Sequence, residues 1–164
     1  MPQTNTMPVK VTRLHPDAKL PTYATDGSGC FDLYAASVAS ASVTDNTQIG
    51  SLVYEGHPVV CCTGLAFEIP PGHVMLVFSR SGHGFNHAVR LTNCVGVIDS
   101  DYRGKVKVKL TCDDRPYDKP PLEINPGDRI AQAMVLPIPR VGFEEVADLS
   151  ATARGQGGFG STGE

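Results

Sequence analysis

Two aspartates at the end of an apolar run are well placed for acid–base chemistry. In Gly96-Val97-Ile98-Asp99-Ser100-Asp101-Tyr102-Arg103-Gly104 a strand-like segment runs into Asp99, Asp101, a tyrosine and a turn glycine. A carboxylate at the mouth of a strand, held by rigid backbone, can orient and deprotonate a water; the same residues also read as an acidic turn with solvated side chains. Phe78-Ser79-Arg80-Ser81-Gly82 ends another apolar run in a bidentate cation, a hydroxyl and a close-approach backbone, which are the parts of a phosphate site and equally of a plain turn. Pro126-Gly127-Asp128-Arg129-Ile130-Ala131-Gln132 turns into a strand on which Ile130 and Gln132 are expected to share a face. Gln132 offers an amide N–H to a phosphate oxygen, while Asp128 and Arg129 are expected only to cap the turn. In Ser28-Gly29-Cys30-Phe31-Asp32-Leu33-Tyr34-Ala35 a single carboxylate, Asp32, sits among small and apolar residues and needs a partner: backbone donors, an arginine or a hydrated metal.

The last eleven residues, Arg154-Gly155-Gln156-Gly157-Gly158-Phe159-Gly160-Ser161-Thr162-Gly163-Glu164, combine glycine with one guanidinium, one ring and two adjacent hydroxyls. That composition describes either a disordered tail or a lid that closes on a phosphorylated base, with Arg154 for phosphate and Phe159 for the ring. Gly155, Gly157 and Gly160 also satisfy G-x-G-x-x-G, but no helix and no later acidic residue follow at the required distance, so a dinucleotide fold is rejected. His83 and His87 stand four apart without the intervening glutamate of a zinc-protease helix, and a zinc site is not expected there.

These groups must be positioned by short β-segments. Residues 9–13, 59–62, 65–69, 73–78, 89–91, 95–98, 105–110 and 130–136 are rich in β-branched or other apolar residues and are separated by turn signals such as Pro70-Pro71-Gly72 and Asn125-Pro126-Gly127-Asp128. Lys105 to Leu110 alternates lysine with valine and leucine, the pattern of a half-buried antiparallel strand. No window carries a clean helical period; at most a short helix follows Gly82. Residues 37–56 are small, polar and poorly patterned, and read as a long loop. The expected architecture is an all-β barrel or sandwich.

A chain of 164 residues fits a single domain able to bury a core without staples. With a formal charge of -3 and scattered basic residues, it has no footprint for a long nucleic acid. Five cysteines, an odd number, favour a reduced protein over a disulfide scaffold. No apolar run reaches transmembrane length and no signal-peptide core is visible, so a soluble, cytoplasmic protein is expected.

Taken in order, these segments resemble the five motifs of the trimeric dUTPases. Gly29 to Ala35 is similar to the first, Arg80-Ser81-Gly82 to the second, Gly96 to Gly104 to the third, Pro126 to Gln132 to the fourth and Arg154 to Gly163 to the fifth. The resemblance implies a jelly-roll-like distorted β-barrel over 1–153 with a flexible arm at 154–164. It implies a homotrimer whose arm closes over a neighbour's site. It further implies that Asp99 activates the water that attacks the α-phosphorus of dUTP, giving dUMP and pyrophosphate, and that Tyr102 packs beneath the deoxyribose. Asn93 and the backbone of Gly96, Val97 and Ile98 would read the uracil. Arg80, Ser81, Gly82 and Gln132 would bind the phosphates, with Asp32 acting on Mg²⁺ through its waters. Arg154, Gly160, Ser161 and Thr162 would close on the terminal phosphates while Phe159 stacks on the base.

Some residues depart from the pattern. Ser79 stands where the family often has proline, and His83-Gly84 where it usually has Leu-Ala or Leu-Gly; the phosphate grip is expected to survive both changes. Lys105 is expected only to alter surface charge. Two other activities stand beside this one. The related dCTP deaminases need a glutamate over the base, and none lies between Gly96 and Gly104. A nucleotide-dependent role through a regulatory protein partner, as in some phage members of the family, would use residues 37–56.

Overall fold

The computed structural model of the chain describes residues 6–40, 51–114, 118–159 and 161. Thirteen strands and one helix are present among them: β1 (Lys10–Arg13), β2 (Thr22–Tyr23), β3 (Phe31–Tyr34), β4 (Ser37–Ser40), β5 (Ser51–Val53), β6 (Val59–Cys62), β7 (Leu65–Glu68), β8 (His73–Phe78), α1 (Ser81–His87), β9 (Val89–Leu91), β10 (Val95–Ile98), β11 (Lys107–Cys112), β12 (Leu122–Ile124) and β13 (Arg129–Pro137). They pair as a five-stranded sheet in the order β10-β8-β13-β3-β2, a four-stranded sheet in the order β4-β6-β11-β9, and the two-stranded pairs β1-β7 and β12-β5. The all-β architecture is as expected, with jelly-roll-like sheets that are distorted and do not close into a continuous barrel.

One buried cluster draws on all four sheets: Leu33, Met75 and Ile130 from the five-stranded sheet, Val38, Cys61 and Leu110 from the four-stranded one, and Leu65, Val53 and Ile124 from the pairs. Burying each large aliphatic side chain stabilises the fold by about 1.5–3 kcal/mol, so this shared cluster joins the sheets into one body. Gly64 marks how tightly the layers meet: it has φ +66, and an added Cβ would stand 2.7 Å from His15 Cβ and 2.9 Å from Ala18 Cβ.

β11 shows both the strength and the limit of side-chain alternation. Val108 and Leu110 are buried and Lys107 and Lys109 exposed, as the pattern predicts, and the strand pairs antiparallel with β6 and β9. The ladder nevertheless begins at Lys107 rather than Lys105. Val106 instead donates its N–H to Leu65 O and accepts from both Thr63 N and Thr63 Oγ1, which ties it to the β6–β7 connection.

The expected long loop over 37–56 is corrected in part. β4 pairs with β6 along Ser37↔Cys62 to Ser40↔Val59, and β5 pairs with β12. Backbone ladders need no patterned side chains, and the single apolar anchors Val38 and Val53 are fully buried. Residues 41–50 lie outside the described residues.

β13 is the central strand, paired to β8 on one side and β3 on the other. Its register shifts between Arg129 and Ala131. Ile130 therefore joins Ala131 and Ala133 in the core instead of sharing a face with Gln132, which is the second correction. Beyond Pro137 the described chain forms no strand or helix, and Phe143 is 97% and Leu149 89% exposed. All five cysteines are free thiols, and no helix among the described residues is long and apolar enough to cross a membrane.

Candidate active site

Apart from those of the C-terminal arm, the side chains singled out for chemistry fall into two separate clefts. β10 carries Val97 and Ile98 into the turn that bears Asp99, where Tyr102 N–H donates to Asp99 O at 3.2 Å. Arg103 Nη1 braces that turn by donating to Ser100 O at 2.7 Å. Val97, Ile98, Asp99 and Tyr102 line a cavity of about 560 Å³ together with Lys105 and Lys107. Lys105 therefore borders the candidate site rather than plain surface. The Asp99 carboxylate is exposed and makes no hydrogen bond or ion pair among the described residues, which leaves its oxygens open to a water. A second cavity of about 380 Å³ adjoins the first through Ile98 and Lys107 and holds Asn93 and Gly96. The expected base, ribose and uracil-reading residues are thus grouped.

Tyr102 lies across the turn, its hydroxyl donating to Lys105 O at 3.2 Å. A Cβ on Gly104 would fall inside contact distance of the Tyr102 ring and hydroxyl. Since the ring is 44% exposed it would swing aside rather than unfold the chain. Gly104→Ala is therefore expected to lower kcat/KM for nucleotide about tenfold, the order of one aromatic packing interaction, with an unchanged melting temperature. Steady-state kinetics and a thermal scan check it.

The other cleft, of about 380 Å³, is lined by Asp32, Arg80, Ser81, Gly82, Arg129 and Gln132. β3 presents Asp32, the end of β8 presents Arg80, and β13 presents Gln132, whose Nε2 donates to Ser79 O at 3.0 Å. Asp32 stands between two guanidiniums: Arg129 Nη1 at 3.3 Å from Oδ2 and Arg80 Nε at 3.8 Å from Oδ1. Two cations to one carboxylate leave net positive charge, which suits an anion. Burial first, and then the neighbouring Arg129, pull the Arg80 guanidinium below its ordinary value; a bound phosphate would offset both.

Arg129 was missed by sequence reasoning. A regular strand would turn residues 129 and 132 to opposite faces. The bulge at Ile130 resets that parity and brings both into one cleft. Asp128 caps the turn as expected, accepting Asn125 N–H at 2.8 Å.

α1 forms despite two glycines, with Arg80 at its N-cap and Ala88 closing it at φ 52. Its anchor is His83, buried, with Nε2 2.9 Å from Arg80 Nη1. Because the guanidinium can only donate, the imidazole accepts through Nε2 and carries its proton on Nδ1. Burial, then the Arg80 charge, push His83 down to about 4 from its ordinary value near 6.5. Between those values the unfolded imidazole takes up a proton and the folded one does not, so stability falls as pH falls through that window. His83→Leu is expected to remove on the order of 2 kcal/mol of that acid-dependent loss. Urea titrations at pH 7 and pH 4.5 read it as a smaller pH difference in the variant.

None of the described residues of the arm lines either cleft. Arg154 Nε donates to Gly157 O at 2.8 Å and Ser161 N–H to Gly158 O at 3.0 Å, so the segment closes tight turns on itself. Phe159 is fully exposed. Gly160 and Thr162 lie outside the described residues.

A family model described as dUTPase matches residues 16–163. The chain belongs to the dUTPase family. It is 41% identical over 144 residues to the deoxyuridine 5'-triphosphate nucleotidohydrolase of Anaplasma marginale, covering 88% of each chain. It is 38% identical over 158 residues to the protein of that name from Nautilia profundicola, covering 96% of this chain and 100% of the other. Among solved structures, the dUTPase of Staphylococcus bacteriophage 80alpha with dUpNHpp superposes with a TM-score of 0.75 at 22% identity, covering 97% of this chain and all of that one. The dUTPase of phage phi11 of S. aureus gives 0.69 at 20% identity, covering 89% and 100%. At those identities the phage structures show that the dUTPase fold is shared.

Proposed function

We propose that this dUTPase-family chain hydrolyses dUTP to dUMP and pyrophosphate at a site completed by more than one copy of the chain. One observation carries the shared site. β10 and β8 are antiparallel with Val95 opposite Phe78 and Ile98 opposite Met75. Asp99 therefore falls beside Val74, while Arg80 leaves the opposite end of β8. The extended stretch from residue 74 to residue 80 spans about 20 Å at roughly 3.3 Å per residue. The two clefts share no lining residue, and in this reading the base of one copy serves the phosphate cleft of another.

In this reading Asp99 deprotonates the water that attacks the α-phosphorus, and the pyrophosphate leaves. Tyr102 supports the deoxyribose, and the hairpin backbone with Asn93 reads the uracil. Cytosine presents an amino donor where uracil has a carbonyl, leaving donors face to face. Such an unsatisfied buried group costs about 1–3 kcal/mol, so part of the selectivity arises in the transition state. Arg80, Ser81, Gly82 and Gln132 hold the phosphates, joined by Arg129.

The arm of a third copy fits naturally. Val141, Phe143, Val146 and Leu149 are all exposed on one segment, an apolar run that a partner surface would cover, and Arg154, Phe159 and Ser161 lie beyond them on the same segment. A homotrimer with arms exchanged between subunits supplies that surface. Such an activity would limit uracil incorporation into DNA and supply dUMP for dTMP synthesis.

The described residues hold no cluster of three or more His, Cys, Asp or Glu able to cage a metal. Asp32, the one carboxylate among the described residues lining the phosphate cleft, is already paired with Arg80 and Arg129, so it fits a Mg²⁺ that keeps its waters and is held mainly by substrate phosphates rather than one bound directly. Asp32 is the residue to hold it, through those waters. When bound, the ion neutralises phosphate charge and orients the chain of phosphates. The dUTPase of phage phi11 is described with a structural Mg(II) ion. A regulatory protein partner would use residues 37–56, of which 41–50 lie outside the described residues.

Incubation with Mg²⁺ and each deoxynucleoside triphosphate in turn, with pyrophosphate release as readout, tests the activity. Release from dUTP in preference to all others is expected; equal release from dCTP, or ammonia from dCTP, would contradict it.

A further inference from the structure

The hairpin turn between β9 and β10 is held by more than its own backbone. Cys94 N–H donates to Leu91 O at 3.0 Å and Val95 N–H to Asn93 O at 2.7 Å. Cys94 has φ 62, a left-handed conformation that a side-chain-bearing residue adopts under strain and that glycine normally fills. A turn with a strained residue at its corner needs an external hold to keep one conformation.

Arg90, on β9, supplies it. Its Nε and Nη2 fork onto Asp113, at 2.6 Å from Oδ2 and 2.9 Å from Oδ1. Its remaining nitrogen, Nη1, donates to Leu91 O at 3.0 Å and Thr92 O at 3.1 Å and lies 3.7 Å from Cys94 Sγ. Asp113 is itself anchored by its N–H to Ala88 O at 3.2 Å, just past the end of β11. The guanidinium thus couples three acceptors of the turn to the rigid four-stranded sheet. Because each peptide is planar, fixing the Thr92 carbonyl also fixes the direction of the Asn93 N–H, while the Thr92 N–H is held by Lys109 O at 2.8 Å. Both residues line the cavity that Asn93 and Gly96 share.

We propose that the Arg90–Asp113 pair is a positioning clamp that holds residues 91–95 in the conformation that reads the base, and so sets discrimination between dUTP and dCTP. This rests on the reading of that hairpin as the uracil site. The pair is a positioning device and touches no substrate. Side-chain exposures of 38% and 53% make it a weak contributor to global stability, as exposed ion pairs are. Its worth lies in the fork geometry, which a lysine cannot reproduce.

The test compares wild type, Arg90→Ala, Arg90→Lys and Asp113→Asn in kcat and KM for dUTP and for dCTP, alongside melting temperature. Wild-type preference for dUTP establishes the functional reading, and its absence overturns that reading before any variant is compared. Given that preference, Arg90→Ala is expected to raise the KM for dUTP about tenfold, the effect of removing one hydrogen bond from base recognition. Its kcat should stay nearly unchanged and the dUTP-to-dCTP ratio of kcat/KM should fall by a similar factor. Arg90→Lys is expected to behave like the alanine variant. Unaltered selectivity in Arg90→Ala, or wild-type behaviour in Arg90→Lys, would overturn the clamp. Should Arg90→Ala fail to fold, Asp113→Asn carries the same comparison, with a raised KM supporting the clamp and an unchanged one overturning it.

Discussion

Asp99→Asn is expected to slow pyrophosphate release from dUTP by at least about a thousandfold, near the upper range for loss of a general base, while dUTP still binds. Asparagine keeps the size and one acceptor of the carboxylate but cannot take a proton from water. Binding should persist because the Asp99 carboxylate makes no hydrogen bond or ion pair among the described residues, so its replacement disturbs no neighbour. The phosphate cleft, with Arg80, Arg129 and Gln132, is on another part of the subunit and remains intact. Single-turnover kinetics beside calorimetric titration separate the two effects. Near-normal turnover would remove Asp99 from the role of base.

Truncation after Ala153 is expected to lower kcat/KM by at least about a hundredfold, since stacking on a base and a charged phosphate interaction are each worth roughly 1–3 kcal/mol. Among the described residues removed, Arg154 and Phe159 included, none belongs to the buried core. The melting temperature should therefore barely change. Kinetics of the truncated chain matching those of the full one would mean that the arm is only a tail. Among the described residues, the arm's tight turns and fully exposed Phe159 stay out of both clefts of their own subunit, as the proposed exchange of arms requires.

Much of the fold was legible because burial imposes a period on side chains. β6, β8, β9 and β10 occupy the residues expected of them, and β11 keeps its lysines outward. β4 and β5 were hidden because a ladder of backbone hydrogen bonds leaves no mark on segments as short and weakly patterned as Ser-Val-Ala-Ser and Ser-Leu-Val. The candidate site was legible as motifs but not as geometry. A bulge at Ile130 moves Arg129 into the phosphate cleft and Ile130 out of it, and a one-residue register shift carries no composition signal. The Arg90 fork was equally silent, because its partner Asp113 lies 23 residues away and meets it only through the pairing of β9 with β11. The division of the site into two clefts follows from the β8–β10 register, which motifs read in chain order do not contain.

That division gives the central claim its most direct measurement. Asp99→Asn and Arg80→Ala are each made as inactive subunits, then unfolded together and refolded as a mixture before dUTP hydrolysis is assayed. If base and phosphate cleft come from different copies, random assortment leaves about one site in four with both groups intact, so the mixture should recover about a quarter of wild-type activity. If both groups served the same subunit's site, every site would carry one lesion and the mixture would stay as inactive as its parts, which would contradict the account.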